Sequence, residues 1–149
     1  MGQTEALSKI LHVREKEKKD AQLAHHQSIE FFEKVANKLY DVLRKKEDAE
    51  DFYQINLQAT ISIDKMKDQI TYIESLNKRI VAIEEDVKRA RAKMETKQLL
   101  LTDAHVEVKK YEKIIQFRKD EQIIIAHKME QISMDEISIQ QYLSRKLGE

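Results

Sequence analysis

The 149-residue chain has no cysteine, no proline and no tryptophan, and its two glycines, Gly2 and Gly148, stand at the extreme ends. Without cysteine there is no disulfide framework, so the expected setting is the cytoplasm. Without an internal glycine there is no phosphate-cradling loop, so the chain is not expected to hydrolyse nucleotides. A compact fold needs frequent turns, and turns draw on glycine, proline, asparagine and aspartate for specific conformational reasons. A chain this poor in breakers is expected to form long helices. No purely apolar run exceeds four residues, as at Ile123 to Ala126, whereas a bilayer-spanning helix takes roughly 20. Residues Met1 to Lys9 lack the basic start and apolar stretch of a secretory signal. The protein is therefore expected to be soluble, without an anchor of its own. Lysine plus arginine balances aspartate plus glutamate at 27 each, which leaves no net field to hold a polyanion by counterion release, so nucleic acid is not an expected partner.

What the chain does have is charge and periodicity. Charged residues make up 36% of it, and the 41% that are hydrophobic occur mostly singly or in pairs, a distribution that lines a seam more readily than it fills a broad core. From Leu76 to Ile132 the steps alternate between four and three through Leu76, Ile80, Ile83, Val87, Ala90, Met94, Lys97, Leu101, Ala104, Val108, Tyr111, Ile115, Arg118, Gln122, Ile125, Met129 and Ile132. Fourteen of those 17 positions are apolar, where the composition alone gives about seven, so this is a heptad seam. A weaker seam runs through Leu7, Leu11, Arg14, Lys18, Ala21, His25, Ser28, Phe32, Val35, Leu39, Val42, Lys46, Ala49 and Tyr53. Its apolar spacing is regular from Phe32 to Val42, but the charge cluster Glu15 to Lys19 offers little to bury.

The one credible turn lies between the seams, at Asn56 to Ser62. Ser62 is placed to cap the next helix and Asp64 suits its first turn. The expected fold is all-α: helix 1 over about 4–56, a turn over 57–62, and helix 2 over about 63–132, packed as an antiparallel coiled-coil hairpin. Reversal near Ala59 sets Leu39 opposite Ile80 and Phe32 opposite Val87, and leaves helix 2 uncovered from about Glu112. Within that overhang Ser133-Met134-Asp135-Glu136 reads as a capping box, which predicts either a short separate helix or a continuation over about 134–146. That tail reads equally as a docking segment or a frayed end.

No catalytic or cofactor chemistry emerges. The five histidines, His12, His25, His26, His105 and His127, include no i, i+4 pair that could share a metal. Carboxylates such as Glu84, Glu85 and Asp86 read as a solvated face, lacking the pocket that would tune one of them for acid–base work. No enzyme activity, metal or cofactor is expected. One patch stands apart: Tyr72, Ile73, Leu76, Lys78, Arg79 and Ile80. The steps from Ile70 through Ile73 to Leu76 are three and three, which predicts local overwinding and apolar surface turned outward. Tyr72 there is either a binding hot spot or a widened coiled-coil edge, and the pattern does not choose between them.

Several stretches resemble the FliJ family of the flagellar type III export apparatus: Leu7-Ser8-Lys9-Ile10-Leu11-His12-Val13-Arg14-Glu15, Tyr72-Ile73-Glu74-Ser75-Leu76-Asn77-Lys78-Arg79-Ile80, Val106-Glu107-Val108-Lys109-Lys110-Tyr111-Glu112-Lys113 and Met134-Asp135-Glu136-Ile137-Ser138-Ile139. Their order and spacing span nearly the whole chain. The resemblance implies a non-enzymatic cytoplasmic hairpin, shaped like the gamma stalk of rotary ATPases, whose open end enters the hexameric ring of the export ATPase FliI. It also implies contact with the export gate protein FlhA through Tyr72 and Leu76, with Arg79 where the family often has a small residue, and a role in handling export chaperones. Association with the inner face of the cell membrane at the flagellar base would then run through those partners. For the ring contacts, geometry and the family analogy together point to Leu7, Leu11, Arg14, Ile115, Phe117 and Arg118. Competing readings are a homodimeric coiled-coil scaffold, the equivalent stalk of a virulence secretion system, and a prefoldin-like escort. The short Asn56 to Ser62 connection leaves no room for the strands that the escort requires.

Overall fold

The computed structural model describes residues 2–148 and consists of two helices packed against each other as a hairpin coiled coil, α1 (Gly2–Leu57, 56 residues) and α2 (Ile63–Leu147, 85 residues). No strand occurs among the described residues.

The turn is built without a left-handed residue, since no residue among those described has a positive φ. The end of α1 tightens instead into i→i+3 bonds: the Gln58 amide donates to the Ile55 carbonyl and the Ala59 amide to the Asn56 carbonyl, both at 3.2 Å. Ser62 then caps α2 as expected. Its Oγ accepts from the Lys65 amide at 3.4 Å and its carbonyl from the Met66 amide at 3.2 Å. Asp64 stands in the first turn of α2, and Arg145 and Lys146 in its last, each with the sign that the helix dipole favours.

The chain divides into two units. In the unit formed by residues 18–103, Val42, Leu76 and Ile80 make a buried cluster with Leu39, Ala49 and Ile83 packed around it. Leu76 is the most thoroughly buried large side chain, at 0% exposure. Arg91 lies over the Phe32 ring, 5.7 Å from its centre. The polar interruption of the weaker seam is accommodated locally: Ser28, buried, donates to the His25 carbonyl at 2.6 Å, so its hydroxyl is satisfied within α1.

Nearer the turn the structure corrects the sequence reading. Met66, Gln69, Ile73 and Leu76 face inward while Ile70 is 41% exposed, so the steps run three, four, three and the expected overwinding is absent. Keeping α2 in uniform register outweighs burying one more isoleucine. It places Gln69 on the seam, where its Oε1 has no hydrogen-bond partner, and the Asn56 Nδ2 nearby is in the same state.

In the second unit, residues 1–17 with 104–149, the inward positions of α2 are Ala104, Val108, Tyr111, Ile115 and Arg118, and those of α1 are Leu7, Leu11 and Arg14. Cover continues past Glu112 to Arg118, where the Arg118 guanidinium donates to the Gln3 side-chain oxygen at 2.7 Å. From Lys119 to Gly148 every residue is exposed. The helix does not restart at Ser133. It runs through the capping-box sequence without a break, because amides inside a helix already have carbonyl partners four residues back and need no side-chain cap.

Candidate functional site

Two surfaces follow from this packing, one in each unit. Beside the turn, the expected partner-binding patch divides by helical phase. Tyr72 is 51% exposed and Arg79 is exposed, whereas Leu76 points into the core against Val42 and Ile80. Residues four apart on a helix share a face only approximately, and here the seam runs between them. Leu76 thus holds α2 in place, while Tyr72 presents a ring to solvent. Phe52 of α1, 57% exposed, lines a shallow groove with Tyr72, Lys45, Asp48, Ala49, Asp68 and Gln69. Phe52 was not singled out by pattern because it sits one position before the seam residue Tyr53. Only the pairing of the helices brings it to Tyr72. Aromatic rings at the edge of a groove with charged flanks have the composition of a binding hot spot.

The other surface lies at the open end. Of the six residues expected there, Leu7, Leu11 and Arg14 are half-buried on α1, Ile115 is buried at 8% exposure, Arg118 is half-buried and Phe117 is 69% exposed. The structure therefore brings five of them onto the seam and leaves one turned outward. Arg14 is held by α1 and α2 together. Its guanidinium pairs with Glu17 at 2.9 Å and lies 5.9 Å from the centre of the Tyr111 ring. Glu17, and after it Tyr111, favour the charged form of Arg14 and raise its pKa above the usual guanidinium range. Lys110 approaches the same ring at 5.7 Å. Phe117 borders an open hollow with Gln3, Lys113, Arg118, Glu121 and Ile125. Sequence reasoning placed Ile125 on the seam within the stretch that α1 leaves uncovered, and it is 50% exposed.

Among the described residues no group of three or more His, Asp or Glu comes together as a metal site would need, and no helix is long and apolar enough to cross a membrane.

The family model described as "Flagellar FliJ protein" matches residues 3–147. The flagellar FliJ protein of Bacillus subtilis (strain 168) is 32% identical over 135 residues, covering 91% of this chain and 92% of that protein. No solved structure matches. The family model takes in the turn and nearly all of both helices, and the relative is aligned over most of the same span: the chain belongs to the FliJ family of flagellar proteins.

Proposed function

We propose that the chain is a non-enzymatic stalk and coupling element of the flagellar protein-export apparatus. It engages the ring of the export ATPase FliI with its open end and the cytoplasmic domain of the export gate FlhA with the Tyr72 surface, and it takes part in handling export chaperones. It acts in the cytoplasm, held at the inner face of the membrane by these partners. The observation that carries the reading is the asymmetry of the open end. Two helices packed to Arg118 give way to one that continues, uncovered, to Leu147. A hexameric ring presents six equivalent faces, and a ligand can bias its subunits only by contacting them unequally. A pair of helices, one of which ends before the other, has no six-fold symmetry about its long axis and so meets the six faces unequally. At the gate surface Tyr72, Arg79 and Phe52 make the contact, and Leu76 acts by positioning them.

The test is the ATP hydrolysis rate of the cognate ATPase with and without the purified protein, together with native mass for ring assembly. Stimulation, or assembly, at fewer than one chain per ATPase subunit is expected. If the protein neither binds the ATPase nor alters its rate, the ring assignment fails. For the gate, Tyr72→Ala and Phe52→Ala should each keep the helical signal and weaken FlhA binding. Unchanged affinity in both variants would remove the patch.

A further inference from the structure

We infer that the middle of the hairpin carries a docking surface for a partner protein, and that its occupant is an acidic amphipathic helix with an apolar side chain beside two carboxylates one turn apart. The surface lies within the unit of residues 18–103, shares no residue with the Tyr72 groove, and is independent of the ring and gate assignments. Its base is a hollow of about 280 Å³ lined by Ala24, Gln27, Ser28 and Phe31 of α1 and by Lys93 and Lys97 of α2. Small-molecule pockets run from ~300 to 1,000 Å³, so a hollow of this size suits single side chains of a docked segment better than a free ligand. Phe31 is 53% exposed, and Leu100, one turn past Lys97, is 51% exposed. Together they offer apolar surface beside the hollow. The Ser28 hydroxyl is spent on the His25 carbonyl at 2.6 Å, which leaves the lysines as the unused polar groups.

Charge selects the occupant. Lys93 and Lys97 stand four residues apart on α2, so they share a face, and like charges at that spacing repel. Neither enters an ion pair among the described residues, nor does Lys34, three residues past Phe31 on α1. No carboxylate lines the hollow. The acids nearest in sequence are engaged or directed elsewhere: Asp86 lies 3.6 Å from Arg89 and Glu30 lies 3.0 Å from His26, while Glu95, two residues from each lysine, sits off their face. Lys97 is also half-buried, where less water screens its charge and an anionic partner counts for more. The chain as a whole is neutral, so this is a local excess of positive charge without the wide field that holds a polyanion. A few placed carboxylates on a protein match it better than nucleic acid does. Carboxylates at i and i+4 of a partner helix repeat the spacing of the two lysines, and an apolar residue on the same helix face meets Phe31, as in other helix-in-groove contacts.

The experiment sets the photoreactive residue benzoylphenylalanine in place of Phe31 in the full chain, irradiates the cells that produce it, and identifies the cross-linked peptide by mass spectrometry. The expected product joins this chain to another protein, at a helix-forming segment with two Asp or Glu residues one turn apart beside the linked position. Adding Lys93→Glu with Lys97→Glu should lower the cross-link yield about tenfold or more, because each attraction becomes a like-charge contact. Exchanging the partner's two carboxylates for lysine should then restore it. The double variant keeps a like-charge pair at the same spacing within α2, so its helical signal and melting temperature should stay near those of the parent, which separates lost recognition from lost fold. Lys93→Glu alone, at an exposed position, serves in its place if the double variant melts early. A cross-link to a second copy of this chain, to nucleic acid, to lipid or to a segment without acids, an unchanged yield in the folded variant, a partner exchange that fails to restore it, or no cross-link at all would each overturn the inference.

Discussion

Truncating Leu76 to alanine tests the packing on which the rest depends. Leu76 is 0% exposed and sits between Val42 and Ile80, whereas Leu99, on the same helix, is 67% exposed. Leucine-to-alanine changes in well-packed cores cost ~2–5 kcal/mol, rising with the cavity left behind. In a two-helix layer no further shell of protein stands behind the cluster, so the neighbours can settle and water can reach the gap, which points to the lower part of that range, ~2–3 kcal/mol. Leu99→Ala removes little buried surface, and alanine is the better helix former, so its effect should stay within ~0.5 kcal/mol. Urea unfolding followed by circular dichroism measures both. The Leu76 variant should show a lower midpoint at similar slope, and the Leu99 variant the midpoint of the parent. Equal effects at the two positions would mean that the register around Val42, Leu76 and Ile80 is wrong, and with it the inward placement of Leu76. The result also bears on the proposed gate patch, because any loss of FlhA binding on mutating Leu76 would report on the fold as well as on the surface, whereas Tyr72 and Phe52 would report on the surface.

Two further predictions check the corrections that the structure makes. Gln69 occupies a seam position with an unpaired side-chain oxygen, so Gln69→Leu should stabilise the hairpin by about 1 kcal/mol, seen as a higher melting temperature. A lower melting temperature would show that the polar group is satisfied and contributing. At Ser133 the two readings differ in sign: within a continuous helix Ser133→Ala should raise helical stability by roughly 0.5 kcal/mol, whereas loss of a true cap would cost roughly 0.5–2 kcal/mol. Circular dichroism through a thermal melt separates them, and a fall in helicity would restore the separate C-terminal helix.

The partition between sequence and structure falls along physical lines. Heptad spacing is a local property of one chain, so the inward residues of α2 from Leu76 to Arg118, and those of α1 from Leu7 to Tyr53, could be read before any coordinates. All of them are shielded from solvent in the structure. The cap at Ser62 was equally legible, because it depends on a side chain and an amide three residues apart. The motif at Ser133 shows the limit of the same logic: the identical chemistry has no work to do where the helix has not ended. Pairing two helices is a different kind of fact. The sequence determined that two amphipathic helices must share a seam and where the chain reverses. Only the tertiary structure decided that Gln69 rather than Ile70 faces inward, that Phe52 meets Tyr72 while Leu76 turns away, and that α1 stops covering α2 at Arg118 rather than Glu112. Each of these depends on the axial register between residues far apart in the chain, which is set by the summed packing of the whole interface and not by any one stretch of sequence.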